Sequence, residues 1–147
     1  MKRIVLLAIA ISAAALSVAG VAGASTAGTK ISLRKTSIGT ILVNSRGFTI
    51  YAFSKDGRDK DACVKVSGCI AVWPAVTTSG NPVAGSGVKA SLLGTISYKG
   101  SLKQVTYAGH PLYLYSEAGE RGETSYVGVS HFGGRWLAVN ASGRAVS

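Results

Sequence analysis

Residues 47–60, GFTIYAFSKDGRDK, return 62 positions later as residues 109–122, GHPLYLYSEAGERG. Gly47 aligns with Gly109, Tyr51 with Tyr113, Phe53 with Tyr115, Ser54 with Ser116 and Gly57 with Gly119. A second pair follows at an offset of 63: WPAVTTSGNPV (residues 73–83) and WLAVNASGRAV (residues 136–146) both read W-x-A-V-x-x-S-G-x-x-V. The order is the same each time, so the unit is about sixty residues long and occurs twice. Such a unit carries an apolar face that it cannot bury alone, and its neighbour covers it.

The periodicity within the unit is that of strands. GTILVNSRGFTIYAFSKDG is a β-branched run, a polar break and an alternating apolar run, the pattern of a hairpin. VKASLLGTISYKG and KQVTYAGHPLYLYS are strand-like, and RWLAVNASGRAVS reads as a last hairpin with NASG as its turn. IAVWPAV is short and apolar, and Pro74 limits it to a strand end or a brief helical turn. No amphipathic helix is apparent. The expected fold is therefore a single all-β domain of about eight strands, a sandwich or small barrel with pseudo-twofold symmetry.

Residues 1–24 stand apart. Lys2 and Arg3 precede a long Ala-rich apolar stretch that ends in Ala22-Gly23-Ala24, the form of a cleavable export signal. A retained anchor is the alternative; the small residues and the lack of a charged stop favour cleavage, so no integral membrane segment is expected afterwards. Residues 25–37 are small and polar and read as a flexible segment or a loosely paired first strand. Residues 38–147 form the two-repeat domain, with repeats at about 38–100 and 101–147. Beyond residue 24, 14 Lys and Arg face six Asp and Glu, a formal charge of +8. The basic residues are dispersed, with no recognition helix or arm, so nucleic acid is not an expected partner. Anionic envelope polymers or lipid headgroups are the plausible ones for an exported cation.

Cys63 and Cys69 are the two cysteines, and an even count in an exported chain suggests a disulfide. A metal site would need two further ligands, and only His110 and His131 are available as soft partners. Tyr51, Phe53, Tyr113 and Tyr115 at i, i+2 spacing, with Trp73 and Trp136, could line a ligand pocket, but their repetition at equivalent positions favours a core between sheets. His110 replaces Phe48 of the first repeat, which points to use as a ring. Asp56, Asp59 and Asp61 cluster in one loop among Lys55, Arg58 and Lys60; closing the turn is preferred there to binding calcium. Glu117, Glu120 and Glu123 offer carboxylates without a sign of a cleft. GVSHFG misses the nucleophile elbow, because Phe132 stands where glycine is needed.

These residues resemble a bacterial secreted repeat family of unknown function, described as predicted lipoproteins with a Y-x-[FWY]-x-x-D motif. Tyr51, Phe53 and Asp56 carry the motif, Cys63 and Cys69 with Trp73-Pro74 look like its cysteine pair and W-P element, and Gln104, Thr106, Tyr107, Gly109, His110, Pro111 and Tyr113 look like its second-half signature. The resemblance implies an exported, extracellular or periplasmic, envelope-associated protein, and brings no activity, cofactor or catalytic residue. The leader holds no cysteine to acylate, the cysteine spacing is wider than usual, and Ala118 replaces the motif aspartate in the second half. The function expected is a non-catalytic structural or binding module with no cofactor. The alternatives are a metal- or redox-linked exported protein, using His110, His131, tyrosines and the thiols, with His110, His131 and Tyr115 as candidate ligand-binding residues, and a glycan-acting enzyme using Asp56 or the Glu117–Glu123 loop.

Overall fold

A computed structural model describes residues 28–147. The expected export signal lies outside the described residues. The chain is mostly β, in three small sheets that do not close into a barrel. The first sheet has the order β2-β1-β5: β1 (Lys30–Thr36) and β2 (Gly39–Asn44) are antiparallel, and β5 (Val83–Ala84) lies parallel to β1. Residues 30–36, read as part of a flexible segment or a loosely paired first strand, are thus a first strand with six paired positions on β2. Sequence alternation is faint in KISLRKT, because only Ile31 is fully buried there.

The second sheet runs β11-β10-β3, from Ala145–Val146, Gly134–Val139 and Tyr51–Phe53, with β9 (Ser130–His131) also on β10. The third runs β4-β7-β6, from Thr77–Thr78, Lys103–Tyr107 and Leu93–Ser97, with β8 (His110–Pro111) also on β7. Eleven strands are described rather than about eight, since five of them are only two residues long. The only α-helix among the described residues, α1 (Cys69–Val72), is a single turn that delivers Trp73.

Local chemistry sets the turns. The Asn44 side-chain oxygen accepts the N–H groups of Arg46 and Phe48 at 3.0 Å each, which closes the NSRG break. Asn140 repeats the device, accepting from Ser142 at 3.1 Å and Arg144 at 3.0 Å in the NASG turn. Between β7 and β8 two residues suffice: Ala108 and Gly109 both adopt positive φ, 51° and 83°, as a tight hairpin of this hand requires. The expected first hairpin forms only partly. Ile50 donates to Leu42, but β3 then leaves β2 and joins β10 instead.

That departure is possible because β3 is buried on both sides. Ile50 and Ala52 belong to an aliphatic core with Ile31, Leu42, Val76, Val105, Leu112 and Val139. Tyr51 and Phe53 point the other way, into an aromatic core with Cys63, Cys69, Trp73, Tyr113 and Trp136. Adjacent residues serve different cores, as the pleat dictates.

The contacts across the middle recur with the repeats exchanged. Tyr51 and Tyr113 each donate a backbone N–H to the other's carbonyl at 2.9 Å. Ala138 faces Tyr51, and Ala75 faces Tyr113. Ser54 donates to Arg135, and Ser116 to Val72, both at 2.9 Å. Trp73 and Trp136 stack at 4.1 Å with planes 3° apart. Trp136 also stacks on Phe53 at 4.3 Å, while Trp73 lies against Tyr115 at 4.8 Å. Tyr51 meets Trp73 edge-on at 5.1 Å, as Tyr113 meets Trp136. Each Trp strand therefore pairs with the tyrosine strand of the other repeat.

Trp73 and Trp136 are 1% and 0% exposed. Trp73→Ala and Trp136→Ala should each cost about 3–5 kcal/mol, as large core truncations do. Urea denaturation measures this; a loss under about 1 kcal/mol, the surface range, would contradict the core assignment.

Candidate functional site

The motif aspartate lies just beyond β3, in the loop that the cysteines tie. Asp56 Oδ1 accepts the Ala62 N–H at 2.7 Å, and the Tyr113 hydroxyl donates to Oδ2 at 2.8 Å. Asp61 Oδ1 accepts the Val64 N–H at 2.9 Å and opens a 3-10 turn at Cys63–Lys65. The Cys63–Cys69 disulfide, with Cα atoms 5.4 Å apart, then closes the loop against the aromatic core. Asp56 thus closes its turn, and it also joins the two repeats through Tyr113.

Burial dominates the electrostatics here. It pushes the Asp56 carboxyl up to about 7, against the pull of the two hydrogen bonds and with a further push from Asp61. Burial, then Asp56 and Asp61, raise the Tyr113 phenol, so it remains an O–H donor. Asp59 stands apart, exposed, and only approaches Arg58 at 4.0 Å. Among the described residues no three His, Cys, Asp or Glu gather as a metal site would need.

The two histidines are not brought together. His110 lies on β8 in the third sheet, opposite Tyr107. His131 lies on β9 beside β10, and both indoles bond to it: Trp73 Nε1 donates to its Nδ1 at 3.3 Å, and Trp136 Nε1 to its carbonyl at 3.2 Å. These bonds give the buried indole N–H groups their partners. Tyr115 is half-buried on Trp73 and Tyr126 and borders a shallow depression of about 210 Å³ with Arg46, Phe48 and Ala118. Glu117 meets the Tyr115 hydroxyl at 3.4 Å and Glu123 the Gly119 N–H at 3.3 Å, so both serve their own loop.

Four further signature residues hold neighbouring strands and turns in place or lie buried among them. Pro74 accepts the Leu114 N–H through its carbonyl at 2.9 Å. Gln104, Thr106 and Tyr107 lie buried along β7; the Tyr107 hydroxyl donates to Ala141 at 2.8 Å and holds the last hairpin. Gln104 Nε2 donates to the Leu112 carbonyl at 3.1 Å, while its Oε1 has no partner. Asp61 Oδ2 is also buried without one. Both residues border a groove of about 410 Å³ between the loop at residues 59–65 and the turn at 96–104. Sequence reading missed this groove, since its walls are some forty residues apart. The available signal was slight, a glutamine next to Val105 in the strand-like KQVTY.

Residues 32–77 match the profile of a family described as a secreted repeat of unknown function. The resemblance carried by Tyr51, Phe53, Asp56, the cysteines and Trp73-Pro74 holds over that stretch; the second-half signature lies beyond it. The disulfide fits the oxidising compartment that a secreted protein enters. No curated protein and no solved structure matches the chain.

Because burial favours the neutral acid, the folded chain holds the Asp56 proton from about 3.8, where the unfolded chain releases it, up to about 7. This group's contribution to stability therefore falls as pH rises through that interval. Asp56→Asn, which stays neutral, should gain on the parent chain between pH 4 and 8. Urea midpoints across that range check this, and a constant difference between the two proteins would refute it.

Proposed function

We propose that the chain acts outside the cytoplasm as a non-catalytic module that binds anionic envelope polymers. The observation that carries this reading is uncompensated positive charge. Beyond residue 24 the formal charge is +8, yet the described residues contain a single ion pair, exposed and 4.0 Å long. The other cations among the described residues have no carboxylate partner, though Arg135 meets a carbonyl and Arg46 and Lys99 lie over rings, and no helix among the described residues is long and apolar enough to cross a membrane. The burial of Tyr51, Phe53, Trp73, Tyr113 and Trp136 supports the same reading, because rings packed on one another are engaged as core.

In this proposal the two repeats pack face to face, sandwich-like, about a pseudo-twofold axis between Tyr51 and Tyr113. The exchange of equivalent contacts supports it, from the paired tyrosine hydrogen bonds to the stacked tryptophans. The axis would be broken at one place: Tyr113 reaches Asp56, while Ala118 offers Tyr51 no carboxylate in return. A site at the motif aspartate would thus be single in each chain.

One observation favours a second reading, a glycan-acting enzyme. Asp56 is held near 7 with Asp61 beside it, the poise of a general acid with a second carboxylate. Release of reducing ends from acidic polysaccharides by the parent chain, abolished in Asp56→Asn, would establish it. For the binding reading, the chain should be retained by polyuronate and by poly(glycerol phosphate), with affinity falling steeply as salt shortens the screening length to about 10 Å at 0.1 M. Sedimentation with each polymer, and with anionic lipid vesicles, measures this. Salt-independent retention, or retention by vesicles alone, would refute it.

A further inference from the structure

We propose that the groove between the loop at residues 59–65 and the turn at 96–104 is a subsite for one acidic sugar unit. The inference rests on the polymer-binding reading and narrows it to a place and a chemistry. Its first support is a coincidence of unpaired atoms. Among the described residues, two buried side-chain polar atoms lack a partner in hydrogen-bond geometry, Asp61 Oδ2 and Gln104 Oε1, although the Tyr113 hydroxyl lies near the Asp61 carboxylate while bonding Asp56. Both are acceptors, and both residues border this one groove. A buried acceptor without a donor is a cost that native chains rarely carry unless something supplies the donor. Gln104 is 0% exposed, and its amide is oriented by the bond from Nε2 to the Leu112 carbonyl, which leaves Oε1 without a donor just beneath the groove's floor.

The surroundings select among donors. Lys60, Lys65 and Lys99 line the groove against Asp59 and Asp61, three cations to two carboxylates, so the balance leans toward an anion over a metal ion or an ammonium group. A hydroxyl group meets no such objection, and an anionic group on the same molecule would be drawn in by the lysines. Tyr98 supplies a half-buried ring at the wall, one face of it 5.4 Å from Lys99 Nζ, and Val64, 46% exposed, supplies apolar surface. Acceptors for hydroxyls, a ring for an apolar face and cations for an acid are the complement of an acidic sugar. Its anion can be a carboxylate, as in a uronic acid, or a phosphate ester on a sugar or polyol. The groove's volume of about 410 Å³ is that of a small-molecule site.

The test is titration of the full folded chain, followed by amide NMR and calorimetry near physiological salt. The probes are an oligogalacturonate, an oligo(glycerol phosphate) and a neutral malto-oligosaccharide. One acidic probe should bind saturably and shift amides of residues 59–65 and 96–104; which one binds identifies carboxylate or phosphate as the anion. Asp61→Asn and Tyr98→Ala should each weaken it about tenfold, and Lys99→Glu at least as much. Lys35→Glu, an exposed charge on β1 away from the groove, should change it less than about twofold. Binding that survives Asp61→Asn and Tyr98→Ala, and falls equally with Lys35→Glu and Lys99→Glu, would overturn the subsite and leave dispersed-charge binding standing. Equal binding of the neutral probe would overturn the acidic specificity. Groove amides unmoved by every probe would assign the unpaired acceptors to water, and loss of all polyanion binding would remove both readings.

Discussion

Two tryptophans stacked at 4.1 Å carry the structure, and everything about the aromatic core follows from how they are held. Each indole lies flat on its twin and meets the ring of a tyrosine edge-on, so the cluster satisfies the preferences of aromatic quadrupoles from several sides. Their N–H groups both end on His131, one on the ring and one on the carbonyl. The disulfide packs against the same cluster and spares the short helical turn from having to stand alone. Sheets this small could not be stable as separate layers. They hold because β3 lends one face to the aromatic core and the other to the aliphatic one.

Much of this was legible in advance, and for physical reasons. The repeat identified equivalent positions, and equivalent aromatic positions belong in a core; the burial of Tyr51, Phe53, Trp73, Tyr113 and Trp136 bears that out. Pro74 limited its segment to a strand end or a brief helical turn, and a helical turn precedes it. Asn44 and Asn140 lay in the two polar breaks and form the turns there. These are local effects, encoded within a few residues.

What could not be read was pairing. Periodicity says that Tyr51–Phe53 is a strand but not that it deserts β2 for Trp136, more than eighty residues away. β1 was only faintly legible because its partners cover one residue fully and leave three half-exposed and three exposed. The groove behind Asp61 was hidden for the same reason. Asp61 looked like one of three aspartates in a charged loop, and only the fold buries it more than Asp59 and sets it beside Gln104. Likewise nothing local in GHPLY or VSHFG says that His131 receives two indoles while His110 lies in another sheet.

The interleaving of the repeats has a consequence in time. Synthesis delivers residues in order, and so does threading through a membrane. When the first repeat has emerged, β3 still lacks β10, and Trp73 still lacks its twin. Its strand edge and its apolar rings stay open until nearly the whole chain has arrived. Sequence-distant pairing of this kind makes for slow closure and a long exposure to wrong partners. The early half is thus committed to waiting, and the short cysteine loop at residues 63–69 is the one covalent tie it can make by itself meanwhile.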